Sequence, residues 1–252
     1  MKILISNDDG IYAPGIAKLE EAMQELGDVV VVAPNSEQSG SAHSLTLHRP
    51  LRITQHSENR YSVDGTPTDC VYLAMLEIFK DDHPDLIVSG INHGANLGND
   101  ITYSGTVSAA LEGVLLGIPS IAFSLVHQRD EVLYFDQAQR AAKRVVKMLE
   151  EYPLPKHTLY NVNIPNVQHN DELEIEFTYQ GNKQYESATI EKIDPRGKKY
   201  YWIGGNILEF DQDPGSDSNA IREGKISISP IRIDMTNHQF LKTLQESHAK
   251  TD

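Results

Sequence analysis

Two adjacent carboxylates, Asp8 and Asp9, stand in Ser6-Asn7-Asp8-Asp9-Gly10, directly after the apolar run Ile3-Leu4-Ile5. Side by side they repel each other and gain nothing from packing, whereas a divalent cation turns that repulsion into binding. Taken alone, such a pair reads as readily as a solvated turn or a helix cap. Two further polar stretches shift the balance. Pro34-Asn35-Ser36-Glu37-Gln38-Ser39-Gly40-Ser41-Ala42-His43-Ser44 has hydroxyls and amides suited to a metal or to phosphate, although by composition it is an ordinary surface loop. Ser89-Gly90-Ile91-Asn92-His93-Gly94-Ala95-Asn96-Leu97-Gly98-Asn99-Asp100 leads on to Tyr103-Ser104-Gly105-Thr106. Glycines let the backbone approach a ligand closely. Ser104-Gly105-Thr106 opens a predicted helix, and a helix start is an anion site. Capping explains those three residues but not the long irregular loop before them, and such loops in compact domains tend to be functional.

Together the three stretches offer Asp8, Asp9, Ser39 and Asn92 as hard oxygen ligands near a phosphate-binding helix start. Oxygen-only ligation suits Mg²⁺, Mn²⁺ or Ca²⁺ better than Zn²⁺. The ten histidines show no His-Glu-x-x-His or other zinc spacing; His43 and His93 fall in the loops and are weak candidates for proton transfer. Absent motifs exclude other chemistries. No Gly-x-x-x-x-Gly-Lys-Ser/Thr run supports a P-loop, no Gly-x-Gly-x-x-Gly a dinucleotide site, and no Gly-x-Ser-x-Gly a serine hydrolase. Asp8-Asp9 also lacks the Asp-x-Asp spacing of aspartate-nucleophile phosphatases.

The elements that must position these residues alternate between strand and helix patterns. Lys2 to Ser6 reads as a strand; Pro14 starts a helix with Ile16, Leu19, Met23 and Leu26 on one face. Val29 to Ala33 is a β-branched run, the pattern of a strand buried on both faces. Thr66-Pro67-Thr68-Asp69 reads as a capped helix start. Strands follow at Leu86 to Ser89, Ile121 to Phe123 and Tyr160 to Ile164, with helices at Thr106 to Leu116 and Phe135 to Leu149. This rhythm predicts an α/β fold with a mostly parallel sheet and helices on both faces, ligands binding at the carboxyl ends of the strands. Arg49 to Val63 reads as a hairpin, and Tyr160 to Ile164 as the last clear core strand. From about residue 171 the chain turns polar, with short β patterns at Tyr200 to Ile203 and Lys225 to Ser229 and an amphipathic helix at Asn237 to His248. One domain over residues 1–252 is expected: a core to about 170, then an arm that packs on another subunit.

Acidic residues number 36 against 22 basic, a net charge of −14. That bias argues against a nucleic-acid polymer as partner. A phosphorylated small molecule would also be repelled unless a bound cation inverts the local field. Cys70 is the only cysteine, which fits a reducing compartment. No stretch has the length and polarity of a signal peptide or a membrane span, so no membrane partner and a cytoplasmic setting are expected.

The motifs named above, with Ala13-Pro14-Gly15-Ile16, Ser44-Leu45-Thr46, Gly65 to Val71, Asn96-Leu97-Gly98, Asp194-Pro195-Arg196-Gly197, Tyr201-Trp202-Ile203 and Asp234-Met235-Thr236, resemble the SurE family of survival proteins in order over nearly the whole chain. The resemblance implies a Rossmann-like core and a C-terminal β-hairpin and helix extension exchanged between subunits of a homodimer or homotetramer. It implies a metal-dependent nucleotidase acting on nucleoside 5′- or 3′-monophosphates, in some members also on short polyphosphate. One Mg²⁺ or Mn²⁺ per subunit would lie on Asp8, Asp9, Ser39 and Asn92, with phosphate contacts at Asn96, Ser104, Gly105 and Thr106. The expected reaction is direct attack by water, with Asp9, or less readily Asp8, accepting its proton. A nucleotide sensor without catalysis and an interaction protein acting through its arm are the rival classes. The intact ligand set disfavours both.

Overall fold

The computed structural model describes residues 1–80, 82–127, 131–168, 172–185, 188–204, 207–210 and 213–249. The first half runs β1 (Lys2–Ser6), α1 (Pro14–Gln24), β2 (Asp28–Pro34), β3 (Ile53–Ser57), β4 (Arg60–Val63), α2 (Pro67–Leu73), β5 (Leu86–His93) and α3 (Gly105–Leu115). Then come β6 (Ser120–Val126), α4 (Phe135–Lys147), β7 (Thr158–Pro165), β8 (Ile175–Phe177), β9 (Lys183–Tyr185), β10 (Ala188–Ile193), β11 (Lys199–Gly204) and β12 (Ile207–Phe210). The chain ends in α5 (Asp217–Arg222), β13 (Ile226–Arg232) and α6 (His238–His248).

Nine strands form one sheet in the order β3-β4-β2-β1-β5-β6-β7-β13-β8. From β4 through β7 every pairing is parallel. The side-chain alternation of β1 explains why both faces are covered. Ile3 and Ile5 pack with Ile16, Leu19 and Met23 of α1 and Ala138, Ala142 and Val145 of α4; Leu4 packs on the other face with Cys70 and Val71 of α2 and Ala109 of α3. Each of these β1 residues is wholly excluded from solvent, so a one-residue slip in register would exchange the two cores. Local signals hold as read: Pro14 lies in the first turn of α1, and Thr66 and Asp69 form a reciprocal capping box at the start of α2. Asp69 also accepts hydrogen bonds from the N–H and hydroxyl of Thr46, fixing the far end of the loop after β2.

Strand order reverses at β1, with β2 on one side and β5 on the other. The crevice beyond the carboxyl ends of β1 and β5 is therefore the topological switch point where ligands settle in open α/β sheets. Asp8 and Asp9 follow β1 directly, and Asn92 lies at the end of β5, where register shifts between Ser89 and Asn92.

The C-terminal region departs from the expected detached arm. β13 pairs antiparallel with β7 and parallel with β8, so part of the chain beyond residue 171 completes the main sheet, and β7 is not the last core strand. Its Ile-Ser-Ile-Ser pattern reads as a half-exposed strand, yet Ser227 and Ser229 are buried as fully as Ile228, because both hydroxyls meet Thr178 Oγ1 at 2.8 and 2.7 Å. The hairpin of β3 and β4 is present, but β4 also pairs with β2 and widens the sheet. Outside it lie two antiparallel ribbons, β10-β11 and β12-β9, and α6, which buries no residue. Among the described residues no helix is long and apolar enough to cross a membrane.

One contact ties this region to the switch-point crevice. The fully buried Asp217 accepts the N–H of Gly98 (2.8 Å), of Gly181 (3.0 Å) and of Ser218 (2.7 Å), while Gln180 Nε2 donates to the Gly98 carbonyl (3.1 Å). Removing the carboxylate strands buried N–H groups, each of which costs free energy when unpaired. Asp217→Ala should therefore lower unfolding free energy by about 3 kcal/mol, read from urea midpoints at constant m-value. A loss under about 1 kcal/mol would mean that water replaces the carboxylate.

Candidate active site

Asn7 makes the first turn of the crevice: its Nδ2 donates to the Gly10 carbonyl (2.9 Å) and its Oδ1 accepts the Gly10 N–H (3.2 Å). Gly10 has φ +99°, which a side chain would resist. This turn leaves Asp8 pointing across the crevice at the start of α3, and Asp9 toward the end of β5. Thr106 donates both its hydroxyl and its backbone N–H to the Asp8 carboxylate. Asp9 Oδ2 accepts the His93 N–H at 3.2 Å. The two carboxylates thus join three elements: β1, β5 and the N-terminus of α3.

Close approach is needed for this. A β-carbon on Gly105 would stand 2.8 Å from Asp8 Cβ, 2.9 Å from Asp8 Oδ2 and 2.7 Å from Ser41 Oγ, all inside normal contact. Only glycine lets the helix start reach the carboxylate. Within the first turn of α3, the Thr106 N–H serves Asp8 and the Val107 N–H is capped by Ser104 Oγ (3.1 Å). The Gly105 N–H is the first-turn donor that these contacts do not use.

Burial dominates the electrostatics. It pushes the Asp8 carboxyl up to about 6, with the Thr106 hydrogen bonds pulling down and the Asp9 charge adding to the rise. Burial raises Asp9 too, opposed by the charge and N–H of His93 and reinforced by Glu37. No lysine or arginine among the described residues offsets either group. Two carboxylates in a sparsely solvated place, with His93 beside Asp9 as their one basic neighbour among the described residues, fit a hard divalent cation. No group of three or more His, Cys, Asp or Glu side chains that could hold a metal ion occurs among the described residues, so any cation here would need amide, hydroxyl or water oxygens beside the two carboxylates.

The other expected residues sit in varied states. Asn92 is half-buried, its Nδ2 donating to the Gly94 carbonyl (3.0 Å), so its Oδ1 is the free end. Ser39 is exposed and donates to Glu37 Oε1 (2.6 Å), which leaves the hydroxyl lone pairs for a ligand; the next residue back, Gln38, donates its N–H to the Asp8 carbonyl (2.7 Å). Ser104 is buried as the cap of α3, with its own proton still to give. Asn96 faces the interior: Nδ2 donates to Ser124 Oγ (2.8 Å), and its backbone is gripped by Asn163 and Asn161. His43 meets Glu112 Oε2 at 2.8 Å, and His93 keeps a buried Nε2 without a hydrogen-bond partner among the described residues.

Several contributors escape a reading of the sequence. Glu37 is felt by Asp9, Ser41 crowds Gly105, and Asn161 and Asn163 fix Asn96 from β7. For the last two a signal exists: Asn-Val-Asn places polar groups at a period of two inside an otherwise apolar strand, and buried amides there need partners.

The raised Asp8 carboxyl carries a stability consequence. Its proton is held more tightly folded than unfolded, so ionisation penalises the fold, and the penalty is complete above about pH 6 and fades as pH falls toward 4. In excess chelator, Asp8→Asn should be more stable than the parent at pH 7.5 by up to roughly 3 kcal/mol. That margin should shrink to about 1 kcal/mol by about pH 4.5 and close near about pH 3 in urea titrations of both proteins. A margin constant with pH would contradict the burial of this carboxylate.

Known proteins resemble this chain in sequence and in fold. The family model described as Survival protein SurE matches residues 3–187. A protein named 5′-nucleotidase SurE from Geobacter sp. (strain M21) is 47% identical over 245 residues, covering 97% of this chain and 98% of its own. Its namesake from Geotalea uraniireducens (strain Rf4) is 50% identical over 250 residues, with the same coverage. The crystal structure of the SurE protein from Aquifex aeolicus matches with a TM-score of 0.86 at 42% identity, covering 98% of this chain and 100% of that one. By sequence and by fold alike, the chain belongs to the SurE family.

Proposed function

We propose that this chain is a divalent-metal-dependent phosphatase that hydrolyses nucleoside monophosphates, and that short polyphosphate is a further substrate. The observation that carries this reading is the pair of adjacent carboxylates, Asp8 against the N-terminus of α3 and Asp9 against His93, with no lysine or arginine among the described residues offsetting either. The activity printed in the names of the relatives supports it. Asp8, Asp9, Ser39 and Asn92 would hold one Mg²⁺ or Mn²⁺. The cation would supply positive charge to the phosphoryl group and make water a stronger acid.

The chain's own groups do the rest. The Gly105 N–H and the Ser104 hydroxyl face the phosphoryl oxygens as neutral donors at the positive end of the helix. Thr106 acts indirectly, since its hydroxyl and N–H hold Asp8 in place. Asn96 likewise braces the loop from the interior. Asp9, bonded through one oxygen to His93, keeps the other to take a proton from attacking water. We also propose a homodimer or homotetramer: Trp202 and Ile203 on the β10-β11 ribbon and Phe240 and Leu244 on α6 are exposed large apolar side chains, too many on two projecting elements for a lone chain. The lone buried Cys70 accords with a cytoplasmic protein.

The test is phosphate release from a panel of nucleoside monophosphates with Mg²⁺, with Mn²⁺ and with excess chelator. Release that needs metal and stops with chelator is expected. Asp9→Asn, shown to be folded by circular dichroism, should lower turnover by about a hundredfold or more. Full activity in that variant would remove Asp9 from its role, and no release from any substrate by the folded parent would sink the reading. Sedimentation of Trp202→Ser with Ile203→Ser should give a smaller species than the parent; unchanged assembly would clear the ribbon of that part.

A further inference from the structure

Between Gln38 and Thr46 the loop after β2 has no regular structure, yet hydrogen bonds fasten it at both ends and along its middle. The Gln38 N–H donates to the Asp8 carbonyl (2.7 Å), the Ser41 N–H to Gln38 O (3.1 Å) and the Ala42 N–H to the Tyr103 carbonyl (3.1 Å). Ala42 takes the left-handed conformation, φ 51°, which reverses the chain there. His43 then reaches the buried Glu112 of α3 at 2.8 Å. A carboxylate inside a helix face needs a partner, and His43 supplies it, strapping the loop along α3. The Ser44 hydroxyl closes the turn on the Ser41 carbonyl at 2.8 Å. Ser41 is thus fixed on both sides by contacts that involve its backbone and not its hydroxyl.

That hydroxyl is buried and has no hydrogen-bond partner among the described residues. It stands 2.7 Å from the place a Gly105 β-carbon would take, the same place that lies 2.9 Å from Asp8 Oδ2. Ser41 Oγ, the Asp8 carboxylate and the start of α3 therefore face one small volume. A buried hydroxyl left unpaired is costly, and native structures seldom keep one without a ligand or water to satisfy it. The chemistry of the volume narrows the ligand to an oxyanion, since the helix start offers positive potential and the Gly105 N–H a donor. A lysine or arginine here would pair with Asp8 and compete with a cation. A hydroxyl donates without doing so.

We propose that Ser41 is a phosphate-binding residue, donating its hydroxyl to a phosphoryl oxygen seated over Gly105, with the His43–Glu112 contact as the strap that presents it. The inference rests on the phosphatase reading above and adds a contact to it. Its test uses inorganic phosphate as the probe. Binding is measured by titration calorimetry in the presence of Mn²⁺, and inhibition of nucleoside monophosphate hydrolysis is measured alongside, for the parent, Ser41→Ala and Ser41→Thr. A hydrogen bond to a charged oxygen is expected to be worth about tenfold in affinity. Ser41→Ala should weaken phosphate binding and raise its inhibition constant by about that factor, while its melting temperature in chelator holds or rises because an unpaired buried group is gone. Ser41→Thr should stay within about threefold of the parent. Phosphate binding by Ser41→Ala equal to the parent's overturns the proposal, as does a parent that binds no phosphate. A parent that binds phosphate yet hydrolyses nothing removes the phosphatase reading alone, and the comparison of Ser41 variants still decides this one.

Discussion

A buried carboxylate without a counter-charge is the constraint around which the rest of this molecule is arranged. Asp8 sits at the end of the central strand, nearly closed to solvent, and the field that steadies it comes from dipoles: the N–H and hydroxyl of Thr106 at the positive end of α3. Dipoles soften the cost of burial but do not cancel it, which is why the carboxyl still rises to about 6. Asp9 beside it adds like charge. A pair held this way keeps an unmet demand for positive charge that a surface ion pair would already have satisfied. Every local irregularity nearby serves the same approach: the Asn7–Gly10 turn aims the carboxylates, the missing β-carbon at Gly105 admits the helix start, and Ser104 caps it.

Holding such a site open requires stiffness supplied from elsewhere. The loop from Gly94 to Asp100 has few apolar side chains of its own to pack. It is held by interior amides instead, Asn161 and Asn163 on its Asn96 and Asp217 on its Gly98. These contacts reach the backbone, so they fix the path of the loop while leaving side chains to face the crevice. Asp217 also binds Gly181, at the root of the ribbons. The C-terminal region is in this sense part of the site's support, as β13 is part of its sheet. Polar networks of this kind are stable only when nearly every member is paired, and here Asn161 Oδ1 is buried without a hydrogen-bond partner among the described residues.

What could be read in the sequence follows from the range of the interactions involved. The capping box at Thr66 and Asp69, the helix start at Pro14 and the doubly buried strands are short-range patterns, and they appear where expected. Asp8 and Asp9 stood out because adjacent acids lack a packing rationale. β13 shows in the sequence as a short β pattern at Lys225 to Ser229 but not as a core strand, because serines that alternate with isoleucines read as solvent-facing unless the Thr178 hydroxyl that buries them is known. Asp217 pairs with a residue 119 positions away, and His43 with one 69 away. No local window contains both partners. The same limit explains Ser41, an ordinary loop serine until the helix start is laid against it.

The net charge of −14 now has a physical setting. A nucleotide approaching this surface meets repulsion at long range, and among the described residues no lysine or arginine pairs with Asp8 or Asp9 to reverse it at short range. In the proposed function, attraction comes from groups that act over a few ångströms: a cation on the carboxylates, and the neutral donors at the start of α3. Such a design makes anion binding conditional. Without the cation, the phosphoryl group would face two carboxylates and be turned away. With it, the same carboxylates become the reason the phosphoryl group stays. Substrate and cation therefore belong to one binding event in the proposed function, and the burial that raises the Asp8 carboxyl would favour hard, doubly charged ions there.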